Sequence, residues 1–517
     1  MRSRSTHRTI AFMLAAGSTA AACGSEEMFE PQLASTERSI ERSAVAQIDK
    51  DDQAIETMRV VGDLDGDGID DAIVRSYWNV PTDTTSVHFG TALYVLYGGS
   101  GVTGRIDLAS LPSLIGFGMG ATGATVSPAG DVDGDGLADF LVQVARFPGC
   151  GVLTTDADEI HTGAYLVYGS ATRLTGVTQI AASGTFFRDA VPCNTSEVAS
   201  LGDLDGDGKA DFGISILPIG SGPLPPTIEQ LSMQVFYGRS ARLTGAVDLA
   251  AVADATIVTP ASGGNVRQMR AGDVDGDGYG DFAVAVQGPV NAVTVSVVRG
   301  GATRLAGTLV LGDIASSEFR NITACREGVG AALGDLDGDG FDDLALLTCD
   351  DTMPSRLSDA RSYGVFYGSA TGFAAQVDIA DADATLPLAD DMASLATADL
   401  DGDGALDLVI GDSGFRDRDG GVHVVSGTGA RLSGPVNLAH LGTTYVGRPQ
   451  REAACHSGNC IVHEAVGNDV DVGDLTGDHH IDILVSGPTE TTAPTLGQHG
   501  SSLAHGYVLS PSGTANP

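Results

Sequence analysis

The chain has 517 residues, 70 of them glycine, and a formal net charge of −39 with a pI near 4.3. So acidic a balance argues against a nucleic-acid backbone or an anionic membrane surface as partner. Aromatic residues make up 5% of the chain, with a single tryptophan at Trp78.

Residues 1–23 read MRSRSTHRTIAFMLAAGSTAAAC. Arg2, Arg4 and Arg8 precede a modest apolar run, and Ala20, Ala21 and Ala22 lead into Cys23. This is the layout of a secretory signal peptide over residues 1–22. Small residues directly before a cysteine resemble a bacterial lipoprotein cleavage box, although Ala20 stands where such boxes usually carry leucine. The resemblance implies that Cys23 is the lipidated first residue of a mature chain at the outer membrane or cell surface. Cleavage without lipidation would leave the protein secreted or periplasmic. Residues 24–42 are polar and aperiodic and read as a tether. No later stretch is long and apolar enough to span a bilayer.

From residue 43 onward one pattern repeats. Residues 62–74 read GDLDGDGIDDAIV, and the motif returns at Gly130, Gly202, Gly272, Gly334 and Ala398, with a degenerate copy (GDLTGDHHIDILV) at Gly473. Successive first aspartates are 68, 72, 70, 62, 64 and 75 residues apart. Each unit shows a short β-prone segment, the Asp-rich loop, an apolar run such as 72–74 or 140–142, and a second apolar strand ending in Tyr-Gly. A tight turn of the SATRLTG type follows, and then a closing strand, as at 104–108, 177–180, 246–249, 377–379 and 436–438. Such a unit cannot bury its own faces, so the units must stack. The expected fold is all-β: a seven-bladed β-propeller of four-stranded blades over residues 43–517. The last unit stops after its third strand at 505–509, and residues 44–49 (AVAQID) match the closing strands of complete units. They are expected to supply the outer strand of the last blade and close the ring.

The loops lie at 63–71, 131–139, 203–211, 273–281, 335–343, 399–407 and 474–482. Counted from the first aspartate, carboxylates fall at positions 1, 3, 5 and 9: Asp63, Asp65, Asp67 and Asp71 in the first loop. The next three loops carry Asp131, Asp133, Asp135 and Asp139; Asp203, Asp205, Asp207 and Asp211; and Asp273, Asp275, Asp277 and Asp281. Loops five and six carry Asp335, Asp337, Asp339 and Asp343, and Asp399, Asp401, Asp403 and Asp407. The seventh keeps only Asp474, Asp478 and Asp482, with Thr476 at position 3 and His479 at position 6. These positions account for 27 of the 67 acidic residues. Position 7 varies freely (Ile69, Leu137, Lys209, Tyr279, Phe341, Ala405), as expected where only the backbone carbonyl is used. Four carboxylates, a carbonyl and a water make the oxygen shell that Ca²⁺ takes. Six sites are therefore expected, with a seventh degenerate one. An EF-hand is excluded because position 12 is aliphatic throughout (Val74 in the first loop), where that motif needs a bidentate glutamate. His479 and His480 are adjacent in a turn, where side chains point apart, which disfavours a transition-metal site.

Strand alternation puts the Asp loops and the SATRLTG-type turns on one face of the ring. The long irregular connections, at 143–163, 215–231, 314–328, 347–362 and 442–467, fall on the other, where a ligand is expected. Apart from Cys23 there are six cysteines, five of them in those connections and Cys193 in the connection between blades, and neighbours are expected to pair: Cys150 with Cys193, Cys325 with Cys349, and Cys455 with Cys460. Neighbour pairing is one of about 15 connectivities that six cysteines allow. Trp78 beside Tyr77 lies in the first long connection, where it either stacks on a sugar or packs on its own blade. His456, His463 and Glu464 cluster in the last one and read as a solvated loop.

With these residues assembled, the repeat resembles the FG-GAP repeat of the integrin alpha-chain propeller, also found in bacterial exported proteins. The matching residues are the DxDGDGxxD loop, Gly116–Gly118 (GFG), and the Gly-Pro of Gln287–Pro289 and Ser486–Pro488. The resemblance implies a calcium-bearing propeller on a cell surface, acting as a non-catalytic binding or adhesion module for protein or matrix ligands. Two other functions are compatible with such a propeller. A polysaccharide-binding lectin would need aromatic pockets blade by blade. A propeller-fold lyase or hydrolase would need a catalytic constellation, and no Ser/His/Asp or paired-carboxylate set stands apart from the calcium loops. The expectation is no enzyme, a protein or glycan partner on the long-connection face, and a monomeric chain.

Overall fold

The structure is a computed structural model. It describes residues 36–49, 54–83, 86–115, 121–146, 163–188, 194–218, 232–259, 265–288, 292–323, 325, 331–349, 361–388, 393–427, 430–438, 441–448, 451–455, 458–463, 465–487, 490–492 and 505–511. Seven antiparallel blades form a β-propeller, the fold that the repeat requires.

The first blade runs outward through Ala54–Gly62, Asp71–Asp83, Ser86–Leu96 and Ser113–Ile115. A fifth strand, Val177–Gln179, then adds to its edge in parallel from the second repeat. The same donation recurs around the ring: Ala246–Asp248 joins the second blade, Gly307–Val310 the third, Gln376–Asp378 the fourth and Gly434–Pro435 the fifth. The closing strands expected from sequence are therefore the donated fifth strands. The true fourth strands follow one short helical turn later, at Ser113–Ile115, Gly184–Arg188, Ala255–Val258, Ser317–Thr323 and Ala384–Leu388. The turn is pinned by one apolar residue, such as Leu108, Ile180, Leu249 or Leu311, each at most 4% exposed.

Ring closure uses this unit, displaced to the N-terminus. Thr36–Ser39 adds in parallel to Thr443–Val446 as the fifth strand of the sixth blade. Ile40–Ser43 makes the short helix, with Ile40 fully buried like its counterparts. Ala44–Asp49 then pairs antiparallel with His505–Leu509 as the fourth strand of the seventh blade. Residues 44–49 thus close the ring as expected, but Gly104–Asp107 covers them in turn, so they are not outermost. The segment read as a tether becomes part of the ring at Thr36.

Seven apolar clusters hold the ring, each between two neighbouring blades. This explains why the second strands read as unbroken apolar runs: both faces are covered, and Ala72, Ile73 and Val74 are all at most 1% exposed. The seam between the seventh and first blades adds polar stitches. Val60 N–H donates to Asp471 Oδ2 at 2.9 Å, and Arg59 pairs with Asp469.

The long-connection face carries two further elements. The first hairpin extends to Asp83 and Ser86, which places Tyr77 and Trp78 in strands and not in a loop. Arg451–Cys455, Gly458–His463 and Glu490–Thr492 form a separate three-stranded sheet, so Cys455, Cys460 and His463 lie in strands of a hairpin within the last long connection. Cys325 and Cys349 form the expected disulfide, with Cα atoms 5.3 Å apart. Cys23, Cys150, Cys193, His456, Glu464, Gly116–Gly118 and Pro289 lie outside the described residues, as do the side chains of Cys455, Cys460 and Trp78. No helix among the described residues is long and apolar enough to cross a membrane.

Candidate metal centres

Each Asp loop is folded by its own carboxylates. In the first, Asp63 Oδ1 accepts the N–H of Gly66 at 2.6 Å and Asp63 Oδ2 that of Gly68 at 2.7 Å. Both glycines sit in the left-handed region, at φ of 81° and 84°, which accounts for Gly at positions 4 and 6. Asp67 Oδ1 accepts the N–H of Ile69 at 3.0 Å. Asp71, fully buried, accepts Leu64 N–H on one oxygen and Gly98 N–H on the other, each at 2.8 Å. The same scheme recurs at Asp139, Asp211, Asp281, Asp343 and Asp407, each bridging position 2 and the glycine that ends the third strand.

That glycine is the Gly of Tyr-Gly in loops one, two, three and five, and follows Arg299 and Ser426 in loops four and six. A Cβ at Gly169 would lie 2.6 Å from the Ala138 carbonyl, so nothing larger fits. The loops are also joined across blades. In loops one to six position 8 donates its N–H to the position 1 carbonyl of the preceding loop, as in Ala138 to Asp63 at 2.8 Å, Leu406 to Asp335 at 2.8 Å and Asp70 to Asp474 at 3.0 Å.

Ligand atoms from positions 1, 3 and 9 converge within 4.8 Å in each of the first four loops, and those of Asp335, Asp337 and Asp339 do so in the fifth. Burial pushes the position 9 carboxyls up, to about 7 at Asp71, Asp139, Asp211 and Asp343 and about 6 at Asp281, Asp407 and Asp482. In the six full loops the two backbone N–H donors act in the opposite direction, and the neighbouring carboxylates push further upward. A donor set made only of carboxylate and backbone oxygens suits a hard cation. One atom fits that reading directly: Asp275, with its side chain 8% exposed, has an Oδ1 that is buried and lacks a hydrogen-bond partner. The seventh loop keeps the fold without the full donor set. Thr476 N–H turns to Asp482, and His479 holds the left-handed conformation (φ 66°) that glycine holds elsewhere. The His479 side chain is 92% exposed.

Sequence reasoning missed a second charge layer. The turn of the second repeat sends Arg173 onto the first loop, where Nε meets Asp65 and Nη2 meets Asp67 Oδ2 at 2.6 Å. Arg242, Arg304 and Arg431 repeat this on loops two, three and five. Each guanidinium lies 4.7–4.9 Å from the ring centroid of the tyrosine in Tyr-Gly, whose hydroxyl accepts the next backbone N–H, as in Leu174 to Tyr97 at 2.9 Å. The signal was present: Tyr-Gly, with an Arg-Leu pair five residues after the tyrosine's place in the following repeat.

No family model matches the chain, and no curated protein matches it. Among solved structures it is similar to a mutant of Aleuria aurantia lectin in complex with alpha-methyl-L-fucoside. That likeness has a TM-score of 0.25 and 11% identity, over 76% of this chain and 98% of that one. At that score it carries no argument.

Proposed function

We propose that the six full loops bind Ca²⁺ and that the protein is a surface-held, non-catalytic binding or adhesion module of the FG-GAP type. The carboxylates at positions 1, 3, 5 and 9 and the position 7 carbonyl would hold the ion. The observation that carries this reading is the recurrence of one all-oxygen sequence motif in six loops, with carboxylates converging within 4.8 Å in the first five, together with the unpartnered buried oxygen of Asp275. A bound divalent ion would offset the mutual repulsion of four clustered carboxylates. Backbone hydrogen bonds join the loops at six of the seven junctions, so the ions would stiffen the ring and leave the opposite face to a protein or matrix ligand. Export through residues 1–22 and lipidation at Cys23 would hold that face at the cell surface.

The test has two arms. Calcium should raise the melting temperature of chelator-treated protein, by about 2.7 kcal/mol of stability per site at a hundredfold excess over Kd. No shift would overturn the metal assignment. A capture screen of the mature protein against surface proteins, matrix and glycans should return a protein or matrix ligand. Glycan ligands alone would overturn that choice in favour of a lectin.

A further inference from the structure

Where the tyrosine–arginine pair is lost, the loops diverge in an ordered way. In the fourth repeat Arg299 stands in the tyrosine's place, and in the fifth Gly372 stands in the arginine's place. The two changes compensate. Arg299 reaches back to Asp275 at 2.5 Å and donates to the Thr371 carbonyl, filling the space that a Cβ at Gly372 would occupy. A guanidinium therefore reaches the fourth loop by a different route. The seventh loop lacks the position 3 acid, and the turn that faces it (residues 99–103, GSGVT) has no arginine. The sixth loop alone has all four acids and no guanidinium: Ser426 replaces the tyrosine, residues 510–516 contain no basic residue, and among the described residues no arginine reaches Asp401 or Asp403.

We propose that these arginines are intramolecular counter-cations, dividing the cation sites into five that a guanidinium holds in check and a sixth, at 399–407, that is unrestrained. The inference rests on the calcium reading. Arg304 takes the Oδ2 atoms of Asp205 and Asp207, the carboxylates at positions 3 and 5 that the ion would need. Asp205 has only 6% of its side chain exposed while Arg304 has 45%, so water screens the pair from the arginine side only. A fixed positive charge beside the site opposes an incoming divalent cation and relieves carboxylate repulsion while the ion is absent. Both effects lower cation affinity, and the second also makes the ion-free loop more stable. The sixth loop has neither and is the tightest site.

Calcium titrated calorimetrically into chelator-treated full-length protein should reveal one equivalent bound more tightly than the rest. Arg304→Ala should move a second equivalent into the tight class, with affinity raised about tenfold. It should also lower the melting temperature in chelator and leave it unchanged in saturating calcium. Arg304→Lys, which keeps the charge, should fall between the two. Identical sites in the wild type together with an Arg304→Ala isotherm that superimposes on it would overturn the proposal and leave calcium binding intact. A wild type that takes up no calcium would remove both. Should Arg304→Ala fail to fold, Arg299→Ala reads the same effect at the fourth loop.

Discussion

At position 9 of each full loop a carboxylate is buried with a backbone N–H on either oxygen. Its value of about 7 at Asp71 and Asp139 stands above the ordinary 3.8, so between those limits the folded chain keeps protons that the unfolded chain has released. These groups therefore favour the folded state most below pH 4 and lose that contribution as pH rises to about 7. In chelator, melting temperature should rise as pH is lowered from about 8 to 6; with calcium present the slope should reverse, because the ionised form is then the one stabilised. Parallel slopes in a calorimetric pH series would contradict this. At position 6 of the seventh loop, His479→Gly should stabilise by about 1 kcal/mol, since a side chain there costs about 1–2 kcal/mol in the left-handed region. Gly169→Ala should cost about 1–3 kcal/mol by forcing Ala138 away. Denaturant midpoints would check both. The acids and glycines of these loops were legible in the sequence because their spacing is local. The arginine contacts were harder to read, because Arg173 and Asp65 lie 108 positions apart and the Tyr-Gly and Arg-Leu pairs that mark them stand in different repeats.

At the level of elements, the repeat period was plain but the assignment of strands within it was not. The segments at 177–180 and 246–249 look like the end of their own unit, since they directly follow its turn. They pair instead with the preceding blade, in parallel and over three residues, too short a span for sequence alternation to reveal the partner. The real fourth strands, such as Gly184–Arg188, come after a helical turn that breaks the β pattern. The N-terminal match was obscured likewise: the equivalence rests on Ile40 standing with Ile180 and Leu249, a single apolar column. Removing residues 36–42 while keeping 44–49 should lower the melting temperature, because it exposes the edge of Thr443–Val446 and removes Ile40 from the core between the sixth and seventh blades. If only residues 44–49 mattered, as the sequence suggested, that truncation would leave stability unchanged.

At the level of the whole molecule, the seven-bladed ring follows from the repeat count, and the division into two faces follows from strand alternation. The face with short loops is regular because a backbone hydrogen bond joins successive loops at six of the seven junctions, the exception among the described residues being that between the sixth and seventh. The opposite face carries the lengthened first hairpin, the three-stranded sheet and the Cys325–Cys349 bridge, features that differ from blade to blade and so have no periodic signature. Since each apolar cluster spans two blades, no blade keeps its core alone. Excising any one repeat should abolish cooperative melting altogether, and a surviving single transition in such a variant would contradict that.

The placement of Thr36–Ser39 and Ala44–Asp49 also sets a timetable. Every other sheet draws its strands from two successive repeats and can assemble as the polypeptide emerges. The last two blades need segments made at the outset, with His505 and Asp49 separated by 456 positions. Through most of synthesis these first strands have no partner, and the growing arc carries open edges of the kind that invite pairing with another chain. Biogenesis, more than the finished ring, is where this architecture is exposed to error.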